Sequence, residues 1–213
     1  METTNITAVT GVILAGGQSR RMGQNKALMR LGNEPLIVHV IRQMESVTDE
    51  LLLITNEPGL YTSLKLPIYT DILPDMGALG GLHAGLSYAA NSTVICVGCD
   101  MPLLQSNLLS HLVALLGPYD AVVPCVQAID RPSPVFQTLS AVYSKRCLPV
   151  VDEMLAVGEL RVHALYDRIE ARIVQPHEWR EFDPRGLSFF NINTPEDFEK
   201  AEKYIGGNHH ANC

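Results

Sequence analysis

Short apolar runs alternate with longer amphipathic stretches along the first 130 residues. Ala8-Val9-Thr10-Gly11-Val12-Ile13-Leu14 is β-branched and mostly apolar and ends in Ala15-Gly16-Gly17, which predicts a buried parallel strand opening into a loop. Leu36, Ile37, Val40, Ile41 and Met44 recur at helical spacing behind Pro35, a residue suited to a first helical turn. Residues 51–55 and 67–70 predict two further strands, and residues 79–90 a helix in spite of their glycines. Val94-Ile95-Cys96-Val97 reads as a buried strand stopping at Gly98-Cys99-Asp100-Met101-Pro102, followed by a helix over 105–116 and a strand over 121–124. Beyond Asp130 the pattern predicts helices over 139–157 and 161–168 and strands over 172–175 and 188–192. Thr194-Pro195-Glu196-Asp197 then opens a last helix with a cap, a first-turn proline and an acidic N-terminus. Strands alternating with helices of this length predict a single-domain, Rossmann-like α/β three-layer sandwich with a mainly parallel sheet. The domain is expected over residues 1–205, with 206–213 as a flexible tail.

Composition narrows the class. An apolar fraction of 46% with 18% charged residues suits a folded globule rather than a disordered chain. The longest apolar stretches fall far short of the ~20 residues that cross a bilayer, and the first ten residues lack a basic segment followed by an apolar one, so a cytoplasmic location is expected. Five cysteines, an odd number, predict a reduced compartment rather than a disulfide framework. Cys96 and Cys99, three apart at a predicted strand, point to opposite faces and are read as buried structural thiols, as are Cys125, Cys147 and Cys213. A net charge of −7 argues against a broad nucleic-acid surface. Yet no acidic residue lies between Thr3 and Asn33, where Arg20, Arg21, Lys26 and Arg30 all fall. Such a local positive field in an acidic protein suits a small polyanion.

The chemistry begins at the end of the first strand, where α/β folds bind ligands. Gly16 and Gly17 allow backbone N–H groups to approach phosphate oxygens, and Arg20, Arg21 and Lys26 can neutralise a triphosphate. The blander alternative is a glycine turn with solvated arginines. The loop is not a Walker A sequence, since Ala27 follows Lys26, and its glycines do not give the G-x-G-x-x-G of dinucleotide enzymes. Asp100, at a strand end, offers the hard oxygen that magnesium prefers, the alternative being a cap for the following helix. The seven histidines form no H-E-x-x-H pair, and no G-x-S-x-G elbow supports a hydrolase nucleophile.

The run Leu14-Ala15-Gly16-Gly17-Gln18-Ser19-Arg20-Arg21-Met22-Gly23-Gln24-Asn25-Lys26-Ala27 resembles the signature loop of molybdenum cofactor guanylyltransferases, within the wider family of nucleotidyltransferases. Cys99-Asp100-Met101-Pro102 and Asn191-Ile192-Asn193-Thr194-Pro195-Glu196-Asp197 are similar to two further segments of that family, and the resemblance runs from Thr10 to Lys203. It implies a nucleotidyltransferase domain that binds nucleotide through Leu14, Ala15, Gly16, Gly17, Lys26, Asn56, Asp71 and Asp100. Lys26, Asp100 and Arg21 are the implied catalytic residues, Asp100 the ligand for Mg2+, and Asn191 and Asn193 the face toward the pterin substrate. As isolated residues, Asn56 and Asp71 are equally ordinary turn chemistry, and Asn191 and Asn193 could serve only the turn into the last helix. The implied reaction is transfer of GMP from GTP to molybdenum-molybdopterin with release of pyrophosphate, with molybdenum-cofactor synthesis and delivery proteins as implied partners. Rival readings are a cytidylyltransferase or sugar-phosphate nucleotidyltransferase, and a nucleotide-binding regulator without catalysis, which would not require both Lys26 and Asp100. Arg131 to Phe136 resembles a substrate-side loop more loosely. The chain departs from the family at Asn25, where Asp is usual, and at Ala78, where Pro is usual.

Overall fold

The computed structural model describes residues 8–16, 25–127 and 133–207. Its centre is one sheet in which β1 (Val9–Leu14) lies between β4 (Glu50–Ile54) and β6 (Thr93–Gly98), parallel to both. On one side β4 pairs in parallel with the short β5 (Ile68–Tyr69). On the other, β6 pairs with β9 (Ser140–Ser144), β9 with β7 (Ala121–Val126), and β7 with β10 (Ala171–Val174). Strand β9 runs antiparallel to both neighbours, so four of the six pairings along this path are parallel. The small β8 (Val135–Phe136) adds to β7, and β2 (Arg30–Leu31) with β3 (Glu34–Pro35) forms a separate hairpin.

Alternation along the strands divides the core into two faces. Ile13, Leu53, Ile95 and Val97 meet α1 (Leu36–Glu45) and α3 (Ser106–Ala114), while Val12, Ile54, Val94 and Cys96 meet α2 (Gly77–Tyr88) and α4 (Leu148–Ala156). This is the expected three-layer sandwich. The five apolar positions read in α1 are all buried, each worth about 1.5–3 kcal/mol relative to exposure. Pro35, however, sits at the N-cap in β3 rather than within the first turn.

The glycines of α2 have a packing reason. A Cβ on Gly85 would lie 2.6 Å from Val12 Cγ1, and one on Gly81 3.1 Å from Leu14 Cδ1, so the helix backbone rests directly on β1. The strand whose end carries the loop is thereby fixed from behind.

Three expectations fail in the second half. The single helix over 139–157 is instead β9 followed by α4, because the buried Ser140–Ser144 segment fills the gap between β6 and β7 and hydrogen-bonds on both edges. The helix over 161–168 is a 3-10 stretch, Val162–Asp167. The strand over 188–192 is a 3-10 turn, Leu187–Phe189, leading into extended chain. There Gly186 is left-handed at φ 66°, Ser188 N–H donates to Asp183 Oδ2 (2.7 Å), and Gln105 N–H donates to the Ser188 hydroxyl (3.0 Å). These bonds tie the segment to the loop after Asp100 instead of to a ladder.

After the short α5 (Pro176–Trp179), the last helix, α6 (Pro195–Gly207), begins as expected. Thr194 Oγ1 accepts from the Asp197 N–H (3.2 Å), while Asp197 Oδ2 accepts from the N–H groups of Thr194 (3.0 Å) and Asn193 (3.1 Å). Of the tail expected over 206–213, Gly206 and Gly207 belong to this helix and the rest lies outside the described residues. Cys96 packs on one face of the sheet and Cys99, just past the strand, on the other. Burial pushes both thiols up to about 12, so neither is a nucleophile near neutral pH. Among the described residues no helix is long and apolar enough to cross a membrane.

Candidate active site

The carboxyl ends of β1, β4, β5 and β6 lie side by side along one edge. Ala15 N–H donates to the Ile54 carbonyl (2.9 Å), Cys99 N–H to the Leu14 carbonyl (3.1 Å) and Thr55 N–H to the Tyr69 carbonyl (2.9 Å). Leu14 and Ala15 are therefore held by the sheet, while the exposed Gly16 has open space where a side chain would stand. Gly17 and Arg21, together with Arg20, fall outside the described residues. The same is true of Arg131 and Pro132 in the looser motif, whose Val135 and Phe136 form β8, with Phe136 edge-on to Tyr166.

Lys26 opens a short 3-10 turn, Lys26–Leu28, capped by Asn25, whose side-chain oxygen accepts from the Ala27 N–H (3.1 Å). Lys26 Nζ reaches across 167 residues of sequence to donate to Asn193 Oδ1 (3.1 Å) and to the Ile192 carbonyl (3.3 Å). The N–H of Ile192 in turn donates to the Asp100 carbonyl (3.0 Å). The loop, the end of β6 and the segment before α6 are thus joined through a few polar contacts. Asn191 and Asn193 are exposed on either side of the buried Ile192.

Asp100 brings a partly buried carboxylate to this junction. Burial pushes its carboxyl above the ordinary carboxylate value, against the opposing pull of its own backbone N–H and of Lys26. No cationic side chain among the described residues pairs with it within 4.0 Å. Its carboxylate folds back over Gly98, where a Cβ would lie 2.7 Å from Asp100 Oδ1. A partly desolvated carboxylate that no described cationic side chain touches directly fits a divalent cation. No cluster of three or more metal-ligating side chains is present among the described residues, so the remaining ligands would be phosphate oxygens and water, as hard cations at nucleotide sites prefer.

Asn56 and Asp71 meet as a pair: Asn56 Nδ2 donates to Asp71 Oδ2 (2.8 Å), and Asp71 N–H donates to Asn56 Oδ1 (3.2 Å). The resemblance implied nucleotide-binding positions for both but did not couple them. Sequence reasoning also passed over Gly98, for which the only signal was a glycine two residues before a strand-end Asp. Tyr61 was missed as well, since nothing in the spacing links it to residue 25.

Residues 11–172 match the family of MobA-like NTP transferase domains. A molybdenum cofactor guanylyltransferase from Desulfosudis oleivorans is 36% identical over 200 residues, covering 93% of this chain and 96% of that protein. The fold is shared with the molybdopterin-guanine dinucleotide biosynthesis protein A from Archaeoglobus fulgidus, at a TM-score of 0.77 and 24% identity, covering 93% of this chain and 99% of the other. It is shared too with a 4-diphosphocytidyl-2C-methyl-D-erythritol synthase from Anaerococcus prevotii, at a TM-score of 0.71 and 14% identity, covering 94% and 96%. Architecture alone therefore selects neither base nor acceptor.

Proposed function

The chain belongs to the family of MobA-like NTP transferase domains, and we propose that it transfers GMP from GTP to molybdenum-molybdopterin, forming the guanine dinucleotide form of the molybdenum cofactor and releasing pyrophosphate. The observation that carries this reading is the Lys26 bridge to Asn193 and Ile192 beside Asp100, which joins three distant motifs at one point. A triphosphate, a metal and a second substrate all have to meet in such a reaction.

An oxygen of the acceptor's terminal phosphate attacks the α-phosphorus of GTP. A new phosphorus–oxygen bond forms as the bond to the bridging oxygen breaks, and the electron pair leaves with pyrophosphate. No covalent enzyme intermediate is needed. Gly16 and Gly17 bring the backbone close to the phosphates, and Lys26, with Arg21, offsets their charge. Asp100 would hold magnesium, which would supply stabilisation of charge on the phosphate oxygens. Asn56 and Asp71 serve the nucleoside, with the Asp71 carboxylate able to accept hydrogen bonds from guanine or ribose. Asn191 and Asn193 offer uncharged amides to the pterin. The protein's contribution is positioning and electrostatics.

Pyrophosphate release with molybdenum-molybdopterin as acceptor, measured with GTP and with CTP, tests the assignment. GTP is expected to be the better donor; a strong preference for CTP would overturn the base, and no release with either would overturn the reaction.

A further inference from the structure

We propose that Tyr61 is a positioning residue for Lys26, acting through the side chain of Asn25. The inference rests on the reading of Lys26 as the triphosphate lysine. Lys26 begins a turn of only three residues, too short to hold its own geometry, and the cap that steadies it is the Asn25 side chain accepting from the Ala27 N–H. A lone capping amide is free to rotate unless a second partner fixes it. Tyr61 supplies that partner: Asn25 Nδ2 donates to the phenol oxygen (2.9 Å), and the phenol hydroxyl donates to Asn25 Oδ1 (3.1 Å).

Tyr61 is well placed for the task. It stands between two 3-10 turns, Pro58–Leu60 and Thr62–Leu64, with 1% of its surface exposed, locked into the core that also holds Ala27. Burial pushes its hydroxyl up to about 12, so it remains a neutral donor across the physiological range. The amide at position 25 suits this pairing because it both donates and accepts. The carboxylate usual in the family would accept only, and would set a negative charge beside the lysine that has to meet a triphosphate. The departure at Asn25 is thereby accommodated by a two-way bond to a buried phenol.

Affinity for GTP with magnesium, measured calorimetrically for Tyr61→Phe, Lys26→Ala and the double variant, tests this, with thermal melting confirming that each protein is folded. Loss of one hydrogen bond's worth of preorganisation predicts that Tyr61→Phe weakens binding about three- to tenfold. In the Lys26→Ala background the same change is expected to have no effect, because nothing is left to position. An equal loss in both backgrounds, or none in either, overturns the proposal while leaving Lys26 in place. Unchanged affinity in Lys26→Ala alone overturns the reading of the lysine, and this proposal with it.

Discussion

Asp71 and Asp100 stand at the same edge of the sheet in opposite conditions. Asp71 shares two hydrogen bonds with Asn56 near the surface, so its charge is already met by an amide and by solvent. Asp100 is partly buried at the end of β6, has no ion pair among the described residues, and burial raises its carboxyl above the usual carboxylate value. A satisfied acceptor can orient a ligand at little cost. A carboxylate whose charge burial disfavours destabilises the unliganded fold and recovers that cost when a cation arrives. In the proposed reaction the Asp71 region would orient the nucleoside and the Asp100 region would do the electrostatic work.

The largest effect is expected from Asp100→Asn, which keeps the shape and removes the charge: turnover should fall about a hundred- to a thousandfold, the scale of losing one electrostatic contact to the transition state. Retention of full turnover in a steady-state pyrophosphate assay would remove the contrast between the two carboxylates. Gly98→Ala should come next. Its Cβ would clash only with the end of the Asp100 side chain, 2.7 Å from Oδ1, and would touch Met101 at ordinary contact distance (3.6 Å to Sδ), so the chain is expected to fold while the carboxylate is displaced. A fall in kcat of about tenfold with an unchanged far-ultraviolet spectrum is expected, since small misplacements at a reacting centre are costly. Asn56→Ala should be the mildest, raising the KM for GTP about three- to tenfold with kcat nearly constant, because it removes orientation rather than charge stabilisation. A kcat effect as large as that of Asp100→Asn would show that the division of labour is wrong.

Much of this arrangement could be read from the chain because it is local. The run into Ala15-Gly16-Gly17, the apolar face of α1 and the Thr194–Asp197 cap are each written within a dozen residues and depend on period or on a single turn. What escaped is non-local. Ser140-Ala-Val-Tyr-Ser becomes a strand only because β6 and β7 leave a slot with unpaired backbone on both sides, a fact absent from its own sequence. Residues 188–192 pass from the end of a 3-10 turn into extended chain and are held by Asp183, by Asp100 and by the loop after it, so their apolar pattern resembles a strand without a ladder. The site behaved in the same way: Lys26, Asp100 and Asn193 are picked out by motifs, whereas Tyr61, Gly98 and the contacts between Lys26 and Asn193, Asn25 and Tyr61, and Asn56 and Asp71 needed the fold.

The central claim, that Asp100 is held at a cost to be met by a metal, is tested most directly by the melting temperature of Asp100→Asn against the parent protein across pH, with and without magnesium and GTP. The folded-state value of Asp100 lies above its unfolded value, so ionisation opposes folding. That penalty is absent below the unfolded value, where both states are protonated, grows as pH rises between the two, and is complete above the folded value. The account predicts that unliganded Asp100→Asn melts higher than the parent at neutral pH, equals it in acid, and gains less than the parent from magnesium added with GTP. A variant that melts lower at neutral pH and gains as much from magnesium would contradict it.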